Sequence, residues 1–113
     1  MVTITFFDLE SLREELEERG IKEVRIADFY TTKTGKLGYC YPVYIAISAR
    51  DPKDGTIIYR LELVDVIHQL EFKDKHELIK EKTEKRLKEI HQIFKGFTIK
   101  KGMYSEILKY EKL

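Results

Sequence analysis

Cysteines and long hydrophobic runs are scarce in this sequence, and each absence excludes a class of protein. The only cysteine is Cys40, so no disulfide can form within the chain, which fits a reducing compartment. The longest apolar stretch, Val43 to Ile47, is far below the ~20 residues that span a bilayer. The N-terminal residues run into Asp8 without a basic segment or a cleavage site, which predicts no signal peptide. We therefore expect a cytoplasmic protein that does not contact a membrane.

Amide side chains are also rare, because the chain has no asparagine and its only glutamines are Gln69 and Gln92. Charged residues make up 36% of the sequence. Many lysines and glutamates with few thermolabile amides are typical of heat-adapted proteins, so we predict a thermophilic source. The 21 basic and 20 acidic residues nearly balance, which argues against a general polyanion binder but leaves room for a local basic surface.

The pattern of apolar residues predicts one α+β domain over residues 1–113. Strands are expected at 2–7, 21–32, 39–50, 56–67 and 97–101, and helices at 9–19 and 74–95. Asp8 is placed to cap the first helix, whose stripe is formed by Leu9, Leu12 and Leu16. The order β-α-β-β-β-α-β predicts a largely antiparallel sheet with both helices packed on one face.

The two central strands are apolar on both faces. The odd-numbered residues of strand 39–50, which include Ile45 and Ile47, lie on one face of that strand. A hairpin turn at 51–55 would place them beside residues 57, 59, 61 and 63 of the next strand, and the two rows are predicted to form the main core. The opposite face is then half apolar, and its candidate interface residues are Tyr44, Ala46, Ile58, Val64 and Val66. Such a face predicts a partner, which is a second copy of the chain, another protein or nucleic acid. The alternative is that residues 103–113 dock as a tail and cover it.

A second functional hypothesis is nucleic-acid binding. Residues 22–60 contain seven basic and four acidic side chains, interleaved with tyrosines. Bases stack on aromatic rings, while lysine and arginine bind phosphates. The candidate binding residues are Lys33, Lys36, Tyr44 and Arg60.

No complete catalytic or metal-binding motif is present. Gly35-Lys36 lacks the rest of a phosphate-binding loop, and His76-Glu77 lacks the second histidine of the zinc-protease motif at residue 80. His68 and His91 are widely spaced from His76, and no cysteine pair supports a zinc site. We therefore predict no cofactor, no metal and no assigned catalytic residue.

The element order from residue 8 onward resembles the core order of metal-dependent nucleases of the restriction-endonuclease type. These enzymes place an aspartate and a Glu-x-Lys motif on adjacent strands, where the carboxylates hold Mg²⁺. Glu71-Phe72-Lys73 has the right residue types, but an unbroken strand puts it ~55 Å from Asp54. The remaining candidate catalytic residues under this resemblance are Asp28 together with Glu62 or Asp65. These could lie at the same height along the strands, with Asp28 two strand spacings, or ~10 Å, from either partner.

Overall fold

The computed structural model describes residues 3–36 and 38–102, so the tail predicted at 103–113 lies outside the described residues. Within the described part, the chain forms six strands and two α-helices. In chain order these are β1 (Thr3–Thr5), α1 (Leu9–Glu18), β2 (Glu23–Tyr30), β3 (Lys33–Gly35), β4 (Gly38–Arg50), β5 (Ile57–His68), a 3₁₀ turn (Gln69–Glu71), α2 (Phe72–Ile93) and β6 (Thr98–Lys101).

Helix α1 begins and ends where the sequence predicts. The Asp8 carboxylate accepts a hydrogen bond of 2.7 Å from the Ser11 N–H, which satisfies one of the free donors of the first turn. The helix ends at Glu18 with Arg19 as its C-cap, and Gly20 follows with φ +70°, a conformation that glycine adopts without strain. The predicted apolar stripe of α1 is confirmed, since Leu9, Leu12 and Leu16 are buried. Helix α2 turns a similar row toward the sheet, and its members are buried or pack against the core: Ile79, Thr83, Leu87, Ile90 and Phe94.

Both helices are crossover connections between parallel strands. The strand order across the sheet is β1-β5-β4-β2-β6, and β3 pairs with β4. Helix α1 carries the chain from β1 past β5 and β4 to β2, and α2 carries it from β5 past β4 and β2 to β6. The two crossovers move in the same direction, and such connections share one handedness, so both helices lie on the same side of the sheet. We call this side the helix face and the opposite side the second face.

The sheet is mixed, and the prediction of a largely antiparallel five-stranded sheet was wrong in part. Strands β2, β4 and β5 form the expected antiparallel meander. However, β1 is parallel to β5, and β6 is parallel to β2. Each of these edge strands is joined to the meander through a helix, and a crossover of this length can return the chain in its original direction.

The short strand β3 continues the line of β2 beside β4. Residues 31 and 32 interrupt the pairing between them. At the interruption the Thr31 N–H donates to the Pro42 carbonyl at 3.0 Å. Proline has no N–H to donate in return, so the ladder breaks at this step. The predicted strand 21–32 is therefore broken at residues 31 and 32, and the segment before the next predicted strand forms a tight hairpin.

The main core lies between the helix face and the two helices. Eight large side chains in it have less than 2% of their surface exposed: Leu12, Leu16, Val24, Ile45, Ile47, Ile58, Ile90 and Phe94. Ile45 and Ile47 are in this core as predicted. The row of residues 57, 59, 61 and 63 is not, because Leu61 pairs with Ala46 and therefore lies on the second face. The prediction that this row faces the helices was wrong.

The β4–β5 turn sets the phase of β5. Arg50 pairs with Ile57, which puts even-numbered positions of β4 beside odd-numbered positions of β5. The turn is closed by hydrogen bonds of 2.8 Å from the Asp51 N–H to the Thr56 carbonyl and from the Gly55 N–H to the Asp51 carbonyl. Arg19 binds the Asp51 carboxylate at 3.0 Å and anchors this turn to the end of α1. The connection is therefore rigid, and a shift of one residue would exchange the two faces of β5.

Candidate interaction surface

The second face is built from rows of side chains that run across β2, β4 and β5. One row contains Phe29, Tyr44 and Leu63, and the next contains Ala27, Ala46 and Leu61. Toward the β4–β5 turn follows a row of different chemistry, formed by Arg25, Ser48 and Tyr59. The middle of the second face is therefore apolar, and cationic side chains begin only near the turn.

Four partly exposed side chains form an apolar patch on this face: Tyr44, Leu61, Leu63 and Val66. Phe29 and Ala46 are buried beside them, and the rings of Phe29 and Tyr44 stack with their centroids 5.6 Å apart. Leu63 keeps 53% of its surface exposed at the β5 end of its row, between Leu61 and Val66 along the strand. Contiguous exposed apolar surfaces are typical of the regions where proteins contact other molecules.

The patch borders a strand edge. Among residues 3–36 and 38–102, β5 has a strand on its outer side only over Ile57–Tyr59, where β1 pairs with it. Beyond that point the outer backbone has one described partner, the Lys75 ammonium, which donates to the Val66 carbonyl at 3.1 Å. An unpaired edge is a template for a strand from a second chain. A β-bulge at Val64 bends the edge and limits pairing to part of it.

The predicted interface residues divide between the two faces. Tyr44, Ala46 and Val66 lie on the second face. Ile58 and Val64 lie on the helix face, where Ile58 is fully buried and Val64 packs against the core. Their placement on the open face of the sheet was wrong, because it followed from the wrong phase of β5.

Sequence reasoning missed Leu61 and Leu63 as surface residues and assigned both to the core. Strand β5 carries apolar residues at both odd and even positions, so the alternation of apolar and polar residues could not show which face they occupy. The signal that could have placed them is the length of the turn, because six residues between Arg50 and Ile57 set the register.

The four nucleic-acid candidates do not come together as one site. Tyr44 is on the second face, whereas Arg60 pairs with Ile47 and belongs to the helix face. Lys33 and Lys36 are exposed in the β3–β4 hairpin at the far end of the sheet. That hairpin is attached to the 3₁₀ turn, because the Gln69 side chain accepts a hydrogen bond of 3.2 Å from the Tyr39 N–H. Placing Arg60 on the same surface as Tyr44 was therefore wrong.

Arg60 is part of an ion-pair network that joins β5 to α2. Its guanidinium donates to the carbonyls of Phe6 and Phe7 and lies 3.4 Å from Glu62. Arg86 of α2 binds the same carboxylate through two hydrogen bonds of 2.7 Å. These bonds from Arg86 hold the pKa of Glu62 below its ordinary value. The network fixes the helix to the sheet.

Two of the three carboxylates suggested by the nuclease resemblance, Glu62 and Asp65, are bound by different cations of α2. Asp28 and Glu62 are level with each other, since each pairs with Ile45 from opposite sides of β4. Glu62 is bound by Arg86, while Asp65 lies 3.4 Å from Lys82 and 3.6 Å from Lys75. The pKa of Asp65 is lowered, first by the N–H of Val66 and then by the two lysines.

Glu71-Phe72-Lys73 does not lie on a strand. Glu71 ends the 3₁₀ turn, and residues 72 and 73 begin α2. In the described ranges no three His, Cys, Asp or Glu side chains are grouped so that they could hold a metal ion. Glu62 and Asp65 here act as ion-pair partners between β5 and α2.

Comparison with known proteins found no match among protein-family models, among curated proteins or among solved structures. A search of the described residues for a helix long and apolar enough to cross a membrane found none.

Proposed function

We propose that this protein is a small interaction module that forms a homodimer through the apolar patch and the adjoining edge of β5. The observation that carries the proposal is Leu63, which remains 53% exposed in a neutral apolar row. Its strand has an outer neighbour only as far as Tyr59 in the described chain. The single cysteine supports a cytoplasmic location, and the scarcity of amides supports a thermophilic source.

A second copy of the chain fits this surface because the patch contains no charged side chain. In a two-fold dimer the same surface occurs on both partners, so each residue of the patch faces an equivalent apolar surface. A charged patch would instead place like charges opposite each other. Pairing of the two β5 edges would add backbone hydrogen bonds to the apolar contact.

The size of a stable interface requires more than these four side chains, since each partner normally contributes about 800 Å². Leu70 lies in the 3₁₀ turn that follows β5 and is 87% exposed, so it adds apolar surface beyond the end of the strand. The expected interface therefore covers the patch, the free edge of β5 and the start of the 3₁₀ turn.

The test is static light scattering of the full chain, coupled to gel filtration, over a range of protein concentrations. We expect twice the chain mass at high concentration and dissociation on dilution. Leu63→Glu should raise the dissociation constant at least about tenfold, because it places a charge in the desolvated centre of the contact. A chain that stays monomeric at every concentration would refute the proposal.

Leu78→Glu is the matched control, because Leu78 is also an exposed leucine, at 61%, but lies on α2. We expect this variant to dimerise like the unmodified chain. If Leu78→Glu dissociates the dimer and Leu63→Glu does not, the contact uses the helices and the second face is excluded.

A further inference from the structure

The free edge of β5 presents backbone groups at fixed positions. The Tyr59 carbonyl points to the outer side of the strand, because it accepts the Phe6 N–H at 3.2 Å. Successive residues of a strand direct their N–H and C=O groups to alternate sides, so Leu61 and Leu63 also face outward. Within the described chain no strand lies beside these two leucines on the outer side. Their backbone groups can therefore form hydrogen bonds with an added strand.

Val66 also faces outward, although it lies three residues beyond Leu63. It pairs with Pro42, whose carbonyl accepts the Thr31 N–H on the far side of β4. Pro42 and Val66 therefore exchange no hydrogen bonds with each other, and the Val66 backbone groups point away from β4. The β-bulge at Val64 supplies the extra residue that accounts for this orientation. The row of outward positions thus continues past the bulge.

Side chains bind both backbone groups of Val66. The Lys75 ammonium of α2 donates to the Val66 carbonyl at 3.1 Å. Within the strand itself, the Asp65 carboxylate accepts the Val66 N–H at 2.7 Å. The same ammonium lies 3.6 Å from the carboxylates of Asp65 and Glu71, so it can leave the carbonyl and still have a counter-charge nearby. We call Lys75 and Asp65 the edge cap.

Strand β1 limits how a second copy can pair with this edge. In a two-fold antiparallel pair, outward residues of one strand stand opposite outward residues of the other. Pairing Leu61 with the partner's Leu63 would bring the partner's strand opposite Tyr59, where β1 already lies. Pairing Leu63 with the partner's Val66 instead brings Tyr59 level with the partner's Leu70, beyond the end of β5. Of these two registers, only the second leaves β1 in place.

We propose that the edge cap is an autoinhibitory contact, which a second copy must displace to pair Leu63 with the partner's Val66. This inference rests on the proposed homodimer and adds its register and its control. The Lys75 ammonium binds the carbonyl to which the partner's Leu63 N–H would donate, and Asp65 holds the neighbouring N–H. Lysines at exposed strand edges oppose the addition of another strand. The cap therefore weakens the dimer.

Two lysines of α2 that bind the same carboxylate provide the variant and its control. Lys75→Ala should lower the dissociation constant of the dimer by about threefold to tenfold, because it frees the Val66 carbonyl of each chain. Lys82 lies 3.4 Å from the Asp65 carboxylate, and its described hydrogen bond is to that group and not to the backbone of Val66. Lys82→Ala removes the same charge and should not tighten the dimer. Light scattering over a range of concentrations measures all three chains.

The outcomes separate the cap from the homodimer. A dimer whose dissociation constant is unchanged or raised in Lys75→Ala would overturn the cap and leave the homodimer in place. An equal decrease in both variants would also overturn it, because the effect would then be one of charge. If the unmodified chain is monomeric and Lys75→Ala dimerises, the cap is supported and the homodimer of the unmodified chain is refuted. If all three chains stay monomeric, both proposals are refuted.

Disulfide formation tests the register. In a Cys40→Ala background, chains with Leu63→Cys are mixed with chains with Val66→Cys and oxidised mildly. The proposed register brings the Cα atoms of residues 63 and 66 to about 5.5 Å, within the range of a disulfide. Two copies of either variant place their cysteines about 10 Å apart along the strand, beyond that range. We expect mixed cross-linked dimers in excess. Preferred cross-links between two Leu63→Cys chains would overturn the register.

Discussion

Both faces of the sheet are built from apolar strand residues, but one face is buried and the other is partly exposed. On the helix face, apolar side chains of β2, β4 and β5 are sealed by both helices and have almost no exposed surface. On the second face, equally apolar rows end in Leu63, which is half exposed. The difference does not come from composition, because β5 is apolar in both phases. The difference in burial arises because both crossovers place their helices on the same face. Substitutions on the two faces should therefore have different effects.

The largest expected effect is a difference in the free energy of unfolding between substitutions on the two faces. Phe94→Ala removes a fully buried ring that packs edge-on against Phe97, and it should lower the free energy of unfolding by about 3–5 kcal/mol. Leu63→Ala, measured by urea denaturation at low protein concentration, should change it by only about 0.5 kcal/mol. A cost for Leu63→Ala close to that for Phe94→Ala would show that Leu63 packs within one subunit and would remove the contrast.

A smaller effect is expected from the ion pairs that hold α2 on the helix face. Glu62→Gln replaces the carboxylate that Arg86 binds through two hydrogen bonds. Unfolding at pH 7 should become easier by about 1–3 kcal/mol, because the part-buried guanidinium then keeps only the more exposed Glu89 as a counter-charge. Glu81→Gln is the control, since Glu81 is exposed on α2 and forms no ion pair within the described chain. Equal denaturation midpoints for the two variants would contradict this role of Glu62.

The same carboxylate makes stability depend on pH. Arg86 keeps the pKa of Glu62 below its ordinary value of 4.5, so the folded state favours the ionised form. The stabilisation is complete above about pH 4.5 and is lost as the pH falls through the lower pKa of the folded state. Denaturation midpoints measured between pH 7 and pH 3 should therefore decrease below pH 4.5, and the decrease should be smaller in Glu62→Gln. Parallel curves for the two proteins would exclude this carboxylate as the cause.

The smallest expected effect concerns the start of α1. Asp8→Ala removes the acceptor for the Ser11 N–H and should lower the melting temperature slightly. Asp8→Ser should restore most of the loss, because serine also caps a helix through its side-chain oxygen. If serine does not restore it, the effect arises from charge near Arg60, which also lowers the pKa of Asp8.

Sequence reasoning succeeded where a local pattern determines the structure. The cap at Asp8 and the stripe of Leu9, Leu12 and Leu16 depend only on neighbours within the same helix. The phase of β5 depends on a turn whose length decides the register, and its two faces are equally apolar, so local pattern could not fix it. For the same reason Ile58 was misplaced at the surface and Leu63 in the core.

The shared direction of the two crossovers has a consequence for how this protein can evolve. Two β-α-β crossovers that run in the same direction across the sheet place both helices on the same face, whatever side chains the chain carries. No point substitution can move a helix of the described chain to the other flank, because that would require reversing the order in which the strands enter the sheet. The residues of the second face, which these two helices leave open, can therefore change, and with them the binding properties of that face. The strand order that builds the core stays the same.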